Sequence, residues 1–83
     1  MNDVKVYGAD WCGDTMATRE YLDSVGVTYE YLNVDEDTNA EAWVKAQNGG
    51  KQKLPTLDLA GQILVMPDEG ELEDALRGKG LIN

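Results

Sequence analysis

Cys12 is the only cysteine in the chain, and there is no histidine. A cysteine reacts through its thiolate, so its setting decides whether it does chemistry. Cys12 lies in Trp11-Cys12-Gly13-Asp14-Thr15, directly before a run that reads as a helix. The first amides of that helix, those of Gly13, Asp14 and Thr15, are expected to face the sulfur. Helix N-termini favour negative charge and so favour a thiolate. The Thr15 hydroxyl is placed to donate a hydrogen bond to it, but it cannot resolve a mixed disulfide. Two carboxylates, Asp10 and Asp14, oppose ionisation. At roughly 7 Å and an effective dielectric near 40, each costs the thiolate on the order of 1 kcal/mol. A lone cysteine can also be a small apolar core residue. A loop position behind a tryptophan at a helix start favours the reactive reading, and Cys12 is expected to be exposed there.

What the chain lacks narrows the chemistry further. Without histidine there is no Cys-His or Ser-His-Asp catalysis, no histidine-ligated metal and no histidine pH switch. With one cysteine there is no disulfide within the chain, and a monomer cannot assemble a four-cysteine metal site. Sixteen Asp and Glu against seven Lys and Arg give a formal net charge of -9. That field disfavours nucleic acid and anionic membranes as partners. A small domain without disulfides points to a reducing compartment, so a cytoplasmic location is expected. Met1-Asn2-Asp3 lacks the pattern of a signal peptide, and no apolar run approaches the roughly 18–20 residues of a membrane helix. The 83 residues suffice for one domain, spanning 1–83.

The elements that would position Cys12 follow from periodicity. Val4 to Tyr7 reads as a strand ended by Gly8. Asp14 to Val25 reads as a helix, with Ala17, Tyr21, Leu22 and Val25 at helical spacing and Gly26 as its stop. Val27 to Val34 reads as a second strand, with Val27, Tyr29 and Tyr31 on one side. Thr38 and Glu41 have the spacing of a capping box, in which each side chain meets the other's backbone. The helix they open carries Ala40, Trp43, Val44 and Gln47 and ends at Asn48-Gly49-Gly50. Thr56 to Leu59 and Gln62 to Val65 read as strands of a hairpin turned by Ala60-Gly61. Pro67-Asp68 opens a last helix with Leu72, Ala75 and Leu76 inward and Gly78 at its close. Asp68 and Glu71 again have capping-box spacing. The order β-α-β-α-β-β-α implies an α/β fold with a four-stranded mixed sheet in the order 2-1-3-4, flanked by helices. The first two strands should be parallel and the last two antiparallel.

Three segments carry a family pattern. They are Tyr7-Gly8-Ala9-Asp10-Trp11-Cys12-Gly13-Asp14-Thr15, the acidic turn Asn33-Val34-Asp35-Glu36-Asp37, and Asn48-Gly49-Gly50-Lys51-Gln52-Lys53-Leu54-Pro55-Thr56. Over nearly its whole length the chain resembles the glutaredoxin branch of the thioredoxin superfamily. Within it, the likeness is to the small mycoredoxins and the redoxins that serve ribonucleotide reductase. The resemblance implies a thioredoxin-like (glutaredoxin) fold and thiol-disulfide oxidoreductase activity with Cys12 as nucleophile. It implies a cis Leu54–Pro55 bond beside the Cys12 loop, with the Leu54 backbone pairing to an extended substrate. Gln52 falls where relatives bind the glycine carboxylate of glutathione, and Asp68-Glu69 where they meet its α-amino group. Asp68 can cap its helix as well. Trp11 either shapes an apolar lip around the sulfur or packs the base of the loop. Lys51 and Lys53 either add positive charge to the site or belong to a solvated loop. Asp35-Glu36-Asp37 reads as a solvated turn and cap region.

There are also departures from the pattern. The second active-site cysteine of the family falls on Thr15, its lysine on Ala9, and its Gly-Gly on Val65-Met66. The resemblance therefore implies a monothiol enzyme. It would use glutathione or mycothiol as co-substrate, no other cofactor, and protein mixed disulfides as partners, and it would act as a monomer in electron transport. Two alternatives stand beside this. One is a non-catalytic carrier in which two chains and two glutathiones hold a [2Fe-2S] cluster. The other is a redox-degenerate binding module.

Overall fold

The computed structural model describes residues 3–83. Its elements run β1 (Val4–Gly8), α1 (Gly13–Ser24), β2 (Glu30–Asn33), α2 (Thr38–Gln47), β3 (Thr56–Leu59), β4 (Gln62–Val65) and α3 (Glu69–Gly78). The sheet order is β2-β1-β3-β4. β1 pairs parallel with β2 and antiparallel with β3, which pairs antiparallel with β4. The element order, strand order and strand directions are those expected from the sequence.

β1 is central, and its alternation divides the core. Side chains in a strand point alternately to the two faces of the sheet. Val4 and Val6 pack with Leu57 and Leu59 of β3, Leu22 of α1, and Leu72 and Leu76 of α3. Tyr7 belongs to a second cluster with Ala40 and Val44 of α2, joined by Ala9, Val34 and Leu54. Helices α1 and α3 therefore cover one face and α2 the other. Trp43 of α2 stacks on Tyr7 with ring centroids 4.0 Å apart. The second cluster reaches up to Cys12, which packs against it. Leu81 and Ile82 fold back onto the first cluster, and the Leu81 amide bonds to the Leu76 carbonyl at 2.9 Å.

Some boundaries differ from expectation, each for a local reason. β2 is Glu30–Asn33 and not Val27 to Val34. Its pairing with β1 begins at Lys5 opposite Glu30 and ends at Gly8 opposite Asn33. Val27 instead donates its amide to Leu22 at the end of α1, while its side chain still enters the core. The expected Thr38–Glu41 capping box is also displaced by one residue. Asp37 is the N-cap of α2, and its carboxylate accepts from the amides of Asn39 and Ala40, each at 3.0 Å. An ionised acceptor makes stronger bonds than a hydroxyl, and Thr38 becomes the first helical residue. The Asp68–Glu71 capping box of α3 forms as spaced. The Ala60-Gly61 turn has positive φ at both residues, 50° and 99°, which suits a two-residue hairpin. Among the described residues, no helix is long and apolar enough to cross a membrane.

Candidate active site

Cys12 is the N-cap of α1, in extended backbone conformation at φ -86°, ψ 114°. Its amide bonds to the Ala9 carbonyl at 3.1 Å, and its carbonyl receives the Met16 amide at 3.1 Å. This closes the first turn and leaves the amides of Gly13, Asp14 and Thr15 without intrahelical acceptors. The Cys12 side chain caps none of them. The sulfur is half-buried, not exposed as expected, because the loop packs onto the cluster of Tyr7, Ala9 and Leu54. The thiol donates to the Leu54 carbonyl oxygen at 3.8 Å. A Cβ on Gly13 would meet nothing within 4 Å, so the surface beside the sulfur is open.

The Leu54–Pro55 peptide bond is cis. Leu54 is 8% exposed and Pro55 is fully buried. The Pro55 carbonyl accepts the Met66 amide at 2.8 Å, which ties the segment before β3 to the turn after β4. Met66, at the position of the family's second glycine, sits at a positive φ of 47°.

Thr15 does not make the expected hydrogen bond to Cys12. Its side chain is 0% exposed, and its hydroxyl has no partner. It fills the hollow over Gly8, where a Cβ would overlap the Thr15 side chain. Its place is a packing contact between α1 and the end of β1.

Trp11 is 70% exposed, so it does not pack the loop base. Its indole N–H donates to the Asp35 carboxylate at 2.7 Å, spanning from the Cys12 loop to the turn before α2. The Asp35 amide in turn bonds to the Asn33 side chain at 2.9 Å, which shapes that turn. Asp10 is engaged as well. Its carboxylate accepts from the Tyr31 hydroxyl at 2.8 Å. Burial first, and then this bond, push the Tyr31 phenol up to about 12. The Arg19 guanidinium lies 3.9 Å from the centre of the Tyr31 ring and donates to the Tyr29 hydroxyl at 3.2 Å. Sequence reasoning missed the partnerships of Asp35, Tyr31 and Arg19. The alternation of Tyr29 and Tyr31 was the available signal.

Asp68 and Glu69 lie at the start of α3 and line a groove of about 470 Å³ between α1 and the β4–α3 turn. Asp14, Tyr21, Pro55 and Met66 also line it. Pro55 thus joins the groove to the thiol. Gln52 is exposed in the Lys51-Gln52-Lys53 segment before Leu54. The structure therefore gathers Trp11, Cys12, Gly13, Leu54 and Pro55 at the thiol, with Asp68 and Glu69 in the adjoining groove. Among the described residues, no group of three or more metal-ligating side chains converges.

The glutaredoxin family model matches residues 4–64. Mycoredoxin 1 of Corynebacterium glutamicum is 37% identical over 57 residues, covering 69% of this chain and 70% of that protein. Among solved structures, the glutaredoxin of Archaeoglobus fulgidus superposes with a TM-score of 0.82 at 23% identity, covering 94% of this chain and 89% of that one. A buckwheat glutaredoxin–glutathione complex superposes with a TM-score of 0.75 at 20% identity, covering 99% and 83%. At these identities the structural matches speak for the fold.

Proposed function

This chain belongs to the glutaredoxin family, and we propose that it is a monothiol thiol-disulfide oxidoreductase with Cys12 as nucleophile. The observation that carries the reading is the setting of its one cysteine. The half-buried sulfur stands at the start of α1, 3.8 Å from the Leu54 carbonyl and next to open surface at Gly13.

In the first step the Cys12 thiolate attacks the small-thiol sulfur of a protein mixed disulfide. The sulfur–sulfur bond breaks, and the protein thiolate leaves and takes up a proton from water. In the second step the thiolate of a free small thiol attacks the sulfur capping Cys12. A small-molecule disulfide leaves and the Cys12 thiolate returns. Over the cycle one protein mixed disulfide and one free small thiol become one protein thiol and one small-molecule disulfide, with no second protein cysteine needed. The free amides of Gly13, Asp14 and Thr15 stabilise the thiolate at both stages. The Leu54 backbone and Pro55 align the incoming disulfide, and Trp11 forms its exposed flank. Gln52 takes a carboxylate of the small thiol, and Asp68 with Glu69 takes an amino group. Glutathione and mycothiol are the co-substrates proposed, with no other cofactor. The work is that of a monomer in a reducing, cytoplasmic setting.

Reduction of a glutathionylated or mycothiolated peptide tests this. Ping-pong kinetics that rise with added small thiol, and that vanish in Cys12→Ser, are expected. No turnover with either thiol overturns the enzyme reading. A visible absorption band after anaerobic reconstitution would then assign a cluster carrier, and a colourless protein a binding module.

A further inference from the structure

Cys12 is preceded by a tight turn whose two central side chains are both tied down. The Cys12 amide bonds to the Ala9 carbonyl at 3.1 Å, which puts Asp10 and Trp11 at the centre of the turn. Trp11 reaches Asp35, and the Asp10 carboxylate accepts from the Tyr31 hydroxyl at 2.8 Å. Tyr31 lies opposite Val6 in the sheet and packs against the cluster under α1 and α3. Cys12 packs against the other cluster, on the α2 face, as does Leu32, the next residue of β2. Successive strand residues face opposite sides of a sheet. The Asp10 carboxylate is therefore bonded to a side chain of one face, while the sulfur belongs to the other. Arg19 of α1 braces the phenol. Its guanidinium lies 3.9 Å from the ring centre, and its Nε donates to the Tyr29 hydroxyl at 3.2 Å. The Tyr29 bond above all, with the charge of Asp10 among the lesser causes, pushes this guanidinium up.

We propose that Tyr31, braced by Arg19, is a positioning residue for the Cys12 thiolate: it holds the Asp10 carboxylate toward the α1–α3 face and away from the sulfur. Asp10 stands two residues before the nucleophile, where a negative charge disfavours ionisation of the thiol. An untethered aspartate samples several rotamers, and the Tyr31 bond selects one of them. Arg19 sets a positive charge behind the same phenol and offsets the carboxylate further. The other ionisable groups around the Cys12 loop are Asp14 of α1, Asp35 and Asp37 before α2, Tyr7 of β1, Lys53 before Leu54 and Asp68 before α3. None of these bonds to Asp10 or Tyr31, so the tether is specific to that pair. That the thiolate attacks a disulfide rests on the monothiol reading; the placing of Asp10 does not.

Alkylation of Cys12 by iodoacetamide at neutral pH and low salt reads the thiolate without any turnover. Tyr31→Phe should slow it about two- to threefold, the effect of one carboxylate moving a few ångströms nearer the sulfur. Adding Asp10→Asn should abolish that slowing, so that the double variant matches Asp10→Asn alone within about 1.5-fold. A loop merely loosened by the lost hydroxyl would stay slow in the Asp10→Asn background. KCl at about 1 M, where the Debye length is about 3 Å, should also shrink the difference between Tyr31→Phe and wild type. An unchanged rate in Tyr31→Phe overturns the proposal. So does equal slowing with and without Asp10→Asn, or slowing that salt leaves intact, because either makes Tyr31 a packing residue only. If the wild-type protein reduces no mixed disulfide while this pattern persists, the monothiol reading fails and the positioning role stands. If it turns over and the pattern is absent, the monothiol reading stands and the positioning role fails.

Discussion

At the residue scale, Thr15 shows how one position can carry the family's pattern and a different job. Its buried hydroxyl has no partner, and its methyl and hydroxyl together fill the space over Gly8. Thr15→Val keeps that shape and removes the orphaned polar atom, so its stability in urea should be unchanged or higher by about 1 kcal/mol. It should also keep turnover, whereas a catalytic hydrogen bond from Thr15 would show as a lost rate. Gly8→Ala should cost about 1–3 kcal/mol by overfilling the same place. Tyr31 gives a pH-dependent counterpart. Its pKa is raised to about 12 in the fold against 10.0 for a free phenol. Between those values the unfolded chain binds fewer protons than the folded one, so stability present below pH 10 is lost as pH rises toward 12. The urea midpoint of the wild type should fall over that window. Tyr31→Phe should fall less, and a parallel fall would sever the loss from Tyr31. The Tyr31–Asp10 and Trp11–Asp35 bonds were not legible beforehand, because each joins residues more than twenty positions apart through side-chain geometry.

At the element scale, caps and strand ends show what local pattern can and cannot specify. The α3 cap was readable because Asp68 and Glu71 are the only pair there with the right spacing, and both bonds form. The α2 cap was not, because Asp37 and Thr38 are adjacent and both suit an N-cap. The backbone at Asp37, extended at φ -130°, settles it. Asp37→Ala should therefore cost about 1 kcal/mol, within a range of roughly 0.5–2, and Thr38→Ala less than about 0.5. The reverse ranking in urea titrations would restore the cap expected from the sequence. β2 was overlong in the reading because Val27 and Tyr29 alternate correctly with Tyr31, and side-chain alternation does not report where a partner strand ends. β1 ends the matter by offering pairing only from Lys5 to Gly8. The element order and the Cys12–Leu54–Pro55 meeting were legible, since the helix start, the strand order and the family pattern all point to one arrangement.

At the scale of the whole molecule, charge is the dominant unspent term. The net charge of -9 is carried by 83 residues, and the described residues form only two salt bridges, one between neighbouring turns of α2 and one between neighbouring turns of α3. Such exposed pairs contribute about 0–1 kcal/mol each, so screening them loses little. Screening the mutual repulsion of the excess carboxylates gains more, because repulsion acts between all of them and falls within a Debye length of about 10 Å at 0.1 M salt. The thermal midpoint is therefore expected to rise as KCl increases from near zero to about 0.15 M. A net gain of about 1 kcal/mol would appear as roughly 4–8 °C in a domain of this size. A midpoint that falls with KCl would mean that attractive pairs, not surplus carboxylates, govern the surface.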